Sequence, residues 1–298
     1  HADDEIYRLD PDDGSTLTTY NMGSGNNWSR KAAVSADTVY IANGGGKQLF
    51  AFDKATGAQK AGWPINLGGA PAWEITENAP FLHSNGNIYV AANGQAGFFG
   101  ASGKAYGFAP DGTQLFPPLD VNGEFRGGFT EAADGTLIMT GKGNGLFSRT
   151  VQAIDPATGT SLWTVDRGFG GTRLGRAFGP PAILGTSVVI NSDRDLTRAY
   201  DVATGNQLWS FSHPNGSDMQ AGPAVGTVGG TATVFVGSSN GITAIQPNGT
   251  TNPPQLWSNT SVDGEHSTPV FDAARNLLYV GDSTNGEVVA LDAATGNR

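Results

Sequence analysis

The chain contains no cysteine. That excludes disulfides, thiolate metal sites and cysteine nucleophiles, and it leaves the compartment open. Positive charge is also scarce, with 17 Lys and Arg against 27 Asp and Glu and a net charge of −10. No basic cluster is larger than Arg30-Lys31. A phosphate backbone needs a basic face, so nucleic acid is excluded as a partner. The same deficit argues against an anionic membrane surface. No apolar run approaches the ~20 residues of a membrane-spanning helix, so membrane insertion is not expected. Only 15% of the residues are charged, and few segments have the composition of helix formers. The first residues, His1-Ala2-Asp3-Asp4, carry neither part of a signal peptide, so any export signal is expected to be gone already. Little Lys, much Gly, Thr, Asn and Ser, and an acidic balance point to an exported protein: extracellular, cell-surface or periplasmic.

What is abundant is glycine, 44 of 298 residues, about twice the usual share. The glycines punctuate a repeat whose clearest copy is Val151 to Trp163. A short apolar run, Val151 to Ile154, leads to Asp155, a small-residue turn closing on Gly159, and then Leu162-Trp163. The run has strand composition. Pro156 and Gly159 bracket a reversal whose backbone Asp155 is placed to hydrogen-bond. The reading is a β-hairpin with a bulky apolar anchor, Leu-Trp, on its outer arm. The turn glycine recurs at 14, 57, 112, 159, 205, 249 and 296, at intervals of 43 to 55 residues. The copies ending at Gly112 and Gly249 are one turn residue short. Such a period, carrying strands and no helices, predicts an all-β fold: a β-propeller of four-stranded antiparallel blades.

Naming the strands of a blade A to D from the centre outwards, the hairpin supplies C and D. Ahead of it lies an apolar B run, such as Val188-Val189-Ile190, and before that a small-residue A strand, such as Pro181-Ala182-Ile183. The tally is six A, six B, seven C and six D strands. This favours seven blades with incomplete first and last blades, with six or eight left open. The whole of 1–298 reads as one propeller domain. Its cut ends would expose strand edges, which folded proteins avoid, so it is expected to be part of a longer chain.

The pattern Ala153-Ile154-Asp155-Pro156-Ala157-Thr158-Gly159 with Leu162-Trp163 resembles the pyrroloquinoline-quinone (PQQ) enzyme repeat. Tyr200-Asp201-Val202-Ala203-Thr204-Gly205 with Leu208-Trp209 is similar, as is Ala290 to Gly296 as far as it runs. The resemblance covers almost the whole chain and implies the propeller fold. It is weaker for function, because the family includes PQQ-dependent alcohol dehydrogenases, the assembly lipoprotein BamB and surface proteins with no cofactor. Trp163, Trp209 and Trp257 read as scaffold, since residues that repeat serve the packing that repeats.

Chemistry is expected in the parts that do not repeat. All D-to-A loops emerge on one face, at the central channel. There they offer Trp28, Arg30, Trp73, Glu74, Arg126, Arg176, Gln220, Glu265 and His266. This mixture of arginines, carboxylates, a histidine and aromatics suits a polar ligand with an apolar face. The competing reading is that solvated loop charges pair with one another. The family's dehydrogenases need Ca²⁺ ligands, an arginine at the quinone and a tryptophan floor. Glu74 or Glu124, Arg126 or Arg176, and Trp73 are this chain's candidates. The vicinal cysteines of the alcohol dehydrogenases are absent, and no loop carries a Trp-rich insert. The expectation is a non-catalytic binding or scaffolding module for a protein or polysaccharide partner, with no cofactor. The alternative is a PQQ- and Ca²⁺-dependent dehydrogenase. His83, His213 and His266 show no spacing that would complete a copper site with His1. The four Asn-x-Ser/Thr sequons, at Asn27, Asn215, Asn248 and Asn259, are near chance in so Asn-rich a chain.

Overall fold

The computed structural model describes residues 5–23, 32–43, 48–67, 79–94, 102–121, 124–142, 149–166, 179–192, 196–213 and 219–298. Among these residues there are 25 strands and no helix. They form seven antiparallel sheets: a two-stranded sheet, five four-stranded sheets and a three-stranded one. Each sheet is a meander whose strands follow one another in sequence. The fifth is representative, with Ala182–Leu184, Ser187–Ser192, Leu196–Asp201 and Gln207–Ser212 as its A to D strands. The first sheet holds only C and D, Glu5–Leu9 and Thr16–Asn21, and the seventh only A to C, Val270–Asp272 to Glu287–Asp292. The strand tally of the sequence is therefore present in full among the described residues. The expected A strand at 128–130 is part of a longer strand, Glu124–Glu131.

The C–D turn is built by its own side chains. Asp201 Oδ1 accepts from the amide and hydroxyl of Thr204, at 2.9 and 2.7 Å. Asp292 accepts from Thr295 in the same way, at 2.8 and 2.9 Å. The glycine amide then donates to the Asp carbonyl, at 2.9 Å for Gly205 and 2.8 Å for Gly296. The Thr295 hydroxyl and amide hold Asp292 below the usual aspartate range. A register shift follows in the C–D ladder at Ala153/Ile154, Ala199/Tyr200 and Ala244/Ile245. It seats Trp163, Trp209 and Trp257 opposite Ala153, Ala199 and Ala244. The alanine of the repeat thus leaves room for the indole. The leucine before each tryptophan is no anchor: Leu162, Leu208 and Leu256 are 53%, 39% and 38% exposed. The side chain alternates across the strand, so only one of the two residues can face inwards.

The chain divides into two compact units. One is 1–125 with 156–160, and the other is 126–155 with 161–298. Within the second, the A strand Ala182–Leu184 lies against the next A strand, Ala224–Val228, which lies against Val270–Asp272. Within the first, Ala32–Val34 lies against Phe81–Leu82. Inner strands converging on inner strands is the geometry of propeller blades, and the fold is a β-propeller of antiparallel blades. The apolar cores lie between successive sheets. One joins Val189, Ala199 and Trp209 to Val234, Val236 and Ile245, and another joins Phe235, Ile242 and Trp257 to Leu278, Val280 and Leu291. Each blade is therefore stabilised mainly by its neighbours.

Candidate functional site

Of the nine channel-face candidates, Trp28, Arg30, Trp73, Glu74 and Arg176 lie outside the described residues. Arg126 sits in the strand Glu124–Glu131, and its side chain, like that of Glu124, lies outside them as well. Gln220, Glu265 and His266 are described, and the fold brings them together in the second unit.

Gln220 precedes the A strand Ala224–Val228, and Glu265 and His266 precede Val270–Asp272. The amides of Gln220 and Ala221 both donate to the Glu265 carbonyl, at 3.1 and 3.0 Å. The Gln220 side-chain amide donates to Glu265 Oε1. His266 Nδ1 stands 3.6 Å from the same oxygen. Glu265 is itself positioned by its amide, which donates to Asp263 Oδ1 at 3.1 Å, while Asp263 Oδ2 accepts from the Thr284 hydroxyl at 3.0 Å. The Gly222 amide donates to the Thr268 hydroxyl at 3.1 Å, closing the contact between the two segments. The Glu265 side chain is 17% exposed and that of His266 59%. The carboxylate is therefore held inside a hydrogen-bonded frame, with the imidazole turned to solvent beside it. Such a frame can offer a partner the free edge of the imidazole.

A second polar group was not legible in the sequence. Thr197 Oγ1 lies 2.8 Å from His213 Nε2 and donates to Asn191 Oδ1 at 3.2 Å. Asn191 Nδ2 donates to the Ala221 carbonyl at 2.8 Å. All three side chains are buried. One node thus ties His213, just after the D strand Gln207–Ser212, and Ala221, just before the next A strand, to the interior of the fifth sheet. Because the Thr197 hydroxyl spends its proton on Asn191, His213 Nε2 carries the hydrogen of that contact. His213 Nδ1 is buried without a hydrogen-bond partner among the described residues. Burial pushes the imidazole down to about 4, since a charge there would be poorly solvated. A histidine at the end of an alternating apolar and polar strand has no sequence signature; the position of Thr197 on the adjacent strand explains it.

The described residues do not assemble a donor set that fits Ca²⁺-bound PQQ. Among them, no three His, Asp or Glu side chains come together as metal ligands, and the carboxylate of Glu265 is already engaged by Gln220.

Comparison with known proteins agrees with this architecture. The family model described as outer membrane protein assembly factor BamB matches residues 2–298. The chain belongs to this PQQ-type propeller family. Among solved structures it is similar to BamB from Moraxella catarrhalis, with a TM-score of 0.64 and 18% identity over 94% of this chain and 80% of that one. It is also similar to the quinohemoprotein alcohol dehydrogenase from Comamonas testosteroni, with a TM-score of 0.72 and 15% identity over 98% of this chain and 63% of that one. At these identities the likeness concerns the fold. A curated relative, the tetrathionate hydrolase of Acidithiobacillus ferrooxidans, is 25% identical over 232 residues, which are 74% of this chain and 43% of the relative. The chain thus spans less than half the length of that relative.

Proposed function

We propose that this chain is a non-catalytic propeller of the cell envelope or cell exterior that binds a protein partner through the face bearing the D-to-A loops. The observation that carries this reading is the match of the outer membrane assembly factor family over residues 2–298. The framed Glu265 supports it. A carboxylate held in place by Gln220, with the exposed His266 beside it, presents positioned polar groups to a partner at little ordering cost. Polysaccharide is the other partner class for the same polar face. The acidic balance of the chain favours a partner with a basic contact surface.

The test places a photo-crosslinking residue at exposed His266 and irradiates the protein in cells of its source. The reading requires a discrete crosslinked protein in the envelope or extracellular fraction. Cytoplasmic partition, or no product above that of a crosslinker on the opposite face at Asn248, would refute it. Adding PQQ and Ca²⁺ in a dye-linked dehydrogenase assay tests the enzymatic reading. Dye reduction dependent on both would replace the binding function with an oxidoreductase.

A further inference from the structure

We propose that Asn248 is a site of spontaneous covalent modification, converted through a cyclic imide to aspartate or isoaspartate in the turn that covers the outer edge of the strand Gln207–Ser212.

Asn248, Gly249 and Thr250 lie in the C–D turn of the sixth sheet, one of the two shortened copies, and all three are exposed. In four of the full-length copies the turn glycine donates its amide to the aspartate carbonyl, as Gly57 does to Asp53 and Gly205 to Asp201, both at 2.9 Å. In the other shortened copy Gly112 donates to Ala109 at 2.9 Å. The Gly249 amide makes no such bond among the described residues. Its φ is +81°, and a side chain there would meet nothing within 4 Å, so the peptide has room to turn. Asn248 Oδ1 accepts from the Thr250 hydroxyl at 2.7 Å and from its amide at 3.3 Å. Both bonds draw electrons from Cγ and close an asparagine turn around the Gly249 peptide. The side-chain amide nitrogen of Asn248 is unengaged among the described residues.

Those are the requirements of intramolecular imide formation. The Gly249 amide nitrogen loses its proton to hydroxide and attacks Asn248 Cγ. The new N–Cγ bond forms as the Cγ–Nδ2 bond breaks, and Nδ2 leaves as ammonia with a proton from water. Water then opens the five-membered imide. Attack at Cγ restores the ordinary backbone with aspartate at 248. Attack at the backbone carbonyl carbon routes the chain through Cγ and yields isoaspartate. Water and hydroxide are the only co-reactants, and no electrons are exchanged.

The other Asn-Gly steps in described turns are protected by bonds that Gly249 lacks. Gly86 donates to the His83 carbonyl at 2.9 Å, and Gly286 to that of Asp282 at 2.9 Å. Asn285 is further held by its own amide on Asp282 Oδ2 at 2.8 Å. Gly241 is paired with Ser238 across a hairpin. The consequence at 248 is structural. Three residues on, the Thr251 carbonyl accepts from the Ser210 amide at 3.1 Å, so this turn caps an outer-strand amide of the preceding sheet. Isoaspartate adds a methylene to the backbone and a negative charge, and loosens that cap.

The test incubates the purified protein in mildly alkaline buffer and maps Asn248, Asn85 and Asn285 by peptide mass spectrometry with fragmentation that separates aspartate from isoaspartate. Asn248 should convert roughly fivefold faster than the other two, the factor expected from one additional hydrogen bond at each of their glycines. Gly249→Ala should slow position 248 alone. Hydrogen exchange at Ser210 should rise with the converted fraction. Equal or slower conversion at 248, conversion unaffected by Gly249→Ala, or a glycan on Asn248 in the protein from its source would overturn the proposal.

Discussion

Trp163 Nε1 donates a 2.7 Å hydrogen bond to the carbonyl of Val202, the residue that follows the turn aspartate of the next sheet. The same acceptor position is used elsewhere. Trp257 donates to Ala293 at 2.9 Å, Tyr20 to Lys54 at 2.7 Å and Tyr89 to Pro156 at 2.7 Å. Lys54, Pro156 and Ala293 each follow a turn aspartate, just as Val202 does. The ring that makes the bond also lies on the turn glycine: a side chain at Gly205 would stand 2.8 Å from Trp163, and one at Gly296 2.5 Å from Trp257. Blade-to-blade cohesion thus combines an apolar contact and a directed hydrogen bond at a fixed place in the repeat.

Trp163→Ala is expected to destabilise the protein by ~3 kcal/mol, the low end for a large aromatic because the ring is only partly buried. Trp163→Phe keeps most of the ring and loses the bond to Val202, which should cost ~1 kcal/mol. Urea unfolding of both variants checks the order, and an unchanged midpoint for the alanine variant would contradict a scaffold role.

Gly205→Ala should cost more than Gly14→Ala. Both glycines have a left-handed backbone, with φ of 72° and 74°, so both variants carry a similar strain of ~1 kcal/mol. Only at Gly205 does the new methyl meet the Trp163 ring; at Gly14 nothing lies within 4 Å. Equal losses on thermal unfolding would show that the ring contact contributes nothing.

Stability should fall as the pH drops from about 6.5 towards about 4. The buried His213 imidazole has its folded-state value lowered to about 4. Below about 6.5 the unfolded chain therefore binds a proton that the folded chain refuses. The stability contributed by neutral His213 is complete above the unfolded value and is lost as the pH falls, by about 3 kcal/mol in all. His213→Gln, which retains a donor for Thr197, should flatten this part of the pH profile. A parallel profile for the variant would assign the pH dependence to other groups.

Gln220→Ala and Glu265→Ala should be non-additive. The side-chain bond between them is charge-assisted and half-buried, so a double-mutant cycle is expected to give a coupling of ~1 kcal/mol. The same variants should weaken binding of a crosslinked partner more than they lower the melting temperature. Additive effects on both measurements would leave the pair without a role in either.

The amino-acid sequence by itself determined the blade. Strand order, turn position and the Asp-x-x-Thr-Gly reversal depend on contacts within a few residues, such as Thr204 on Asp201, and on the apolar runs between them. Local interactions leave a local signature, and the repeat multiplies it until the fold class is unambiguous. The tertiary structure decided which residues meet between blades. Tyr20 and Tyr89 make the same hydrogen bond as Trp163 although neither stands in a Leu-Trp motif, because the acceptor is a backbone carbonyl that takes any aromatic donor reaching it. Gln220 and Glu265, 45 residues apart, meet only because successive A strands converge. His213 is kept neutral by its burial, and Thr197, itself bonded to Asn191, meets its Nε2 from a neighbouring strand. Contacts of this kind depend on the distance between blades and the direction of single side chains, which hydrophobic periodicity does not encode.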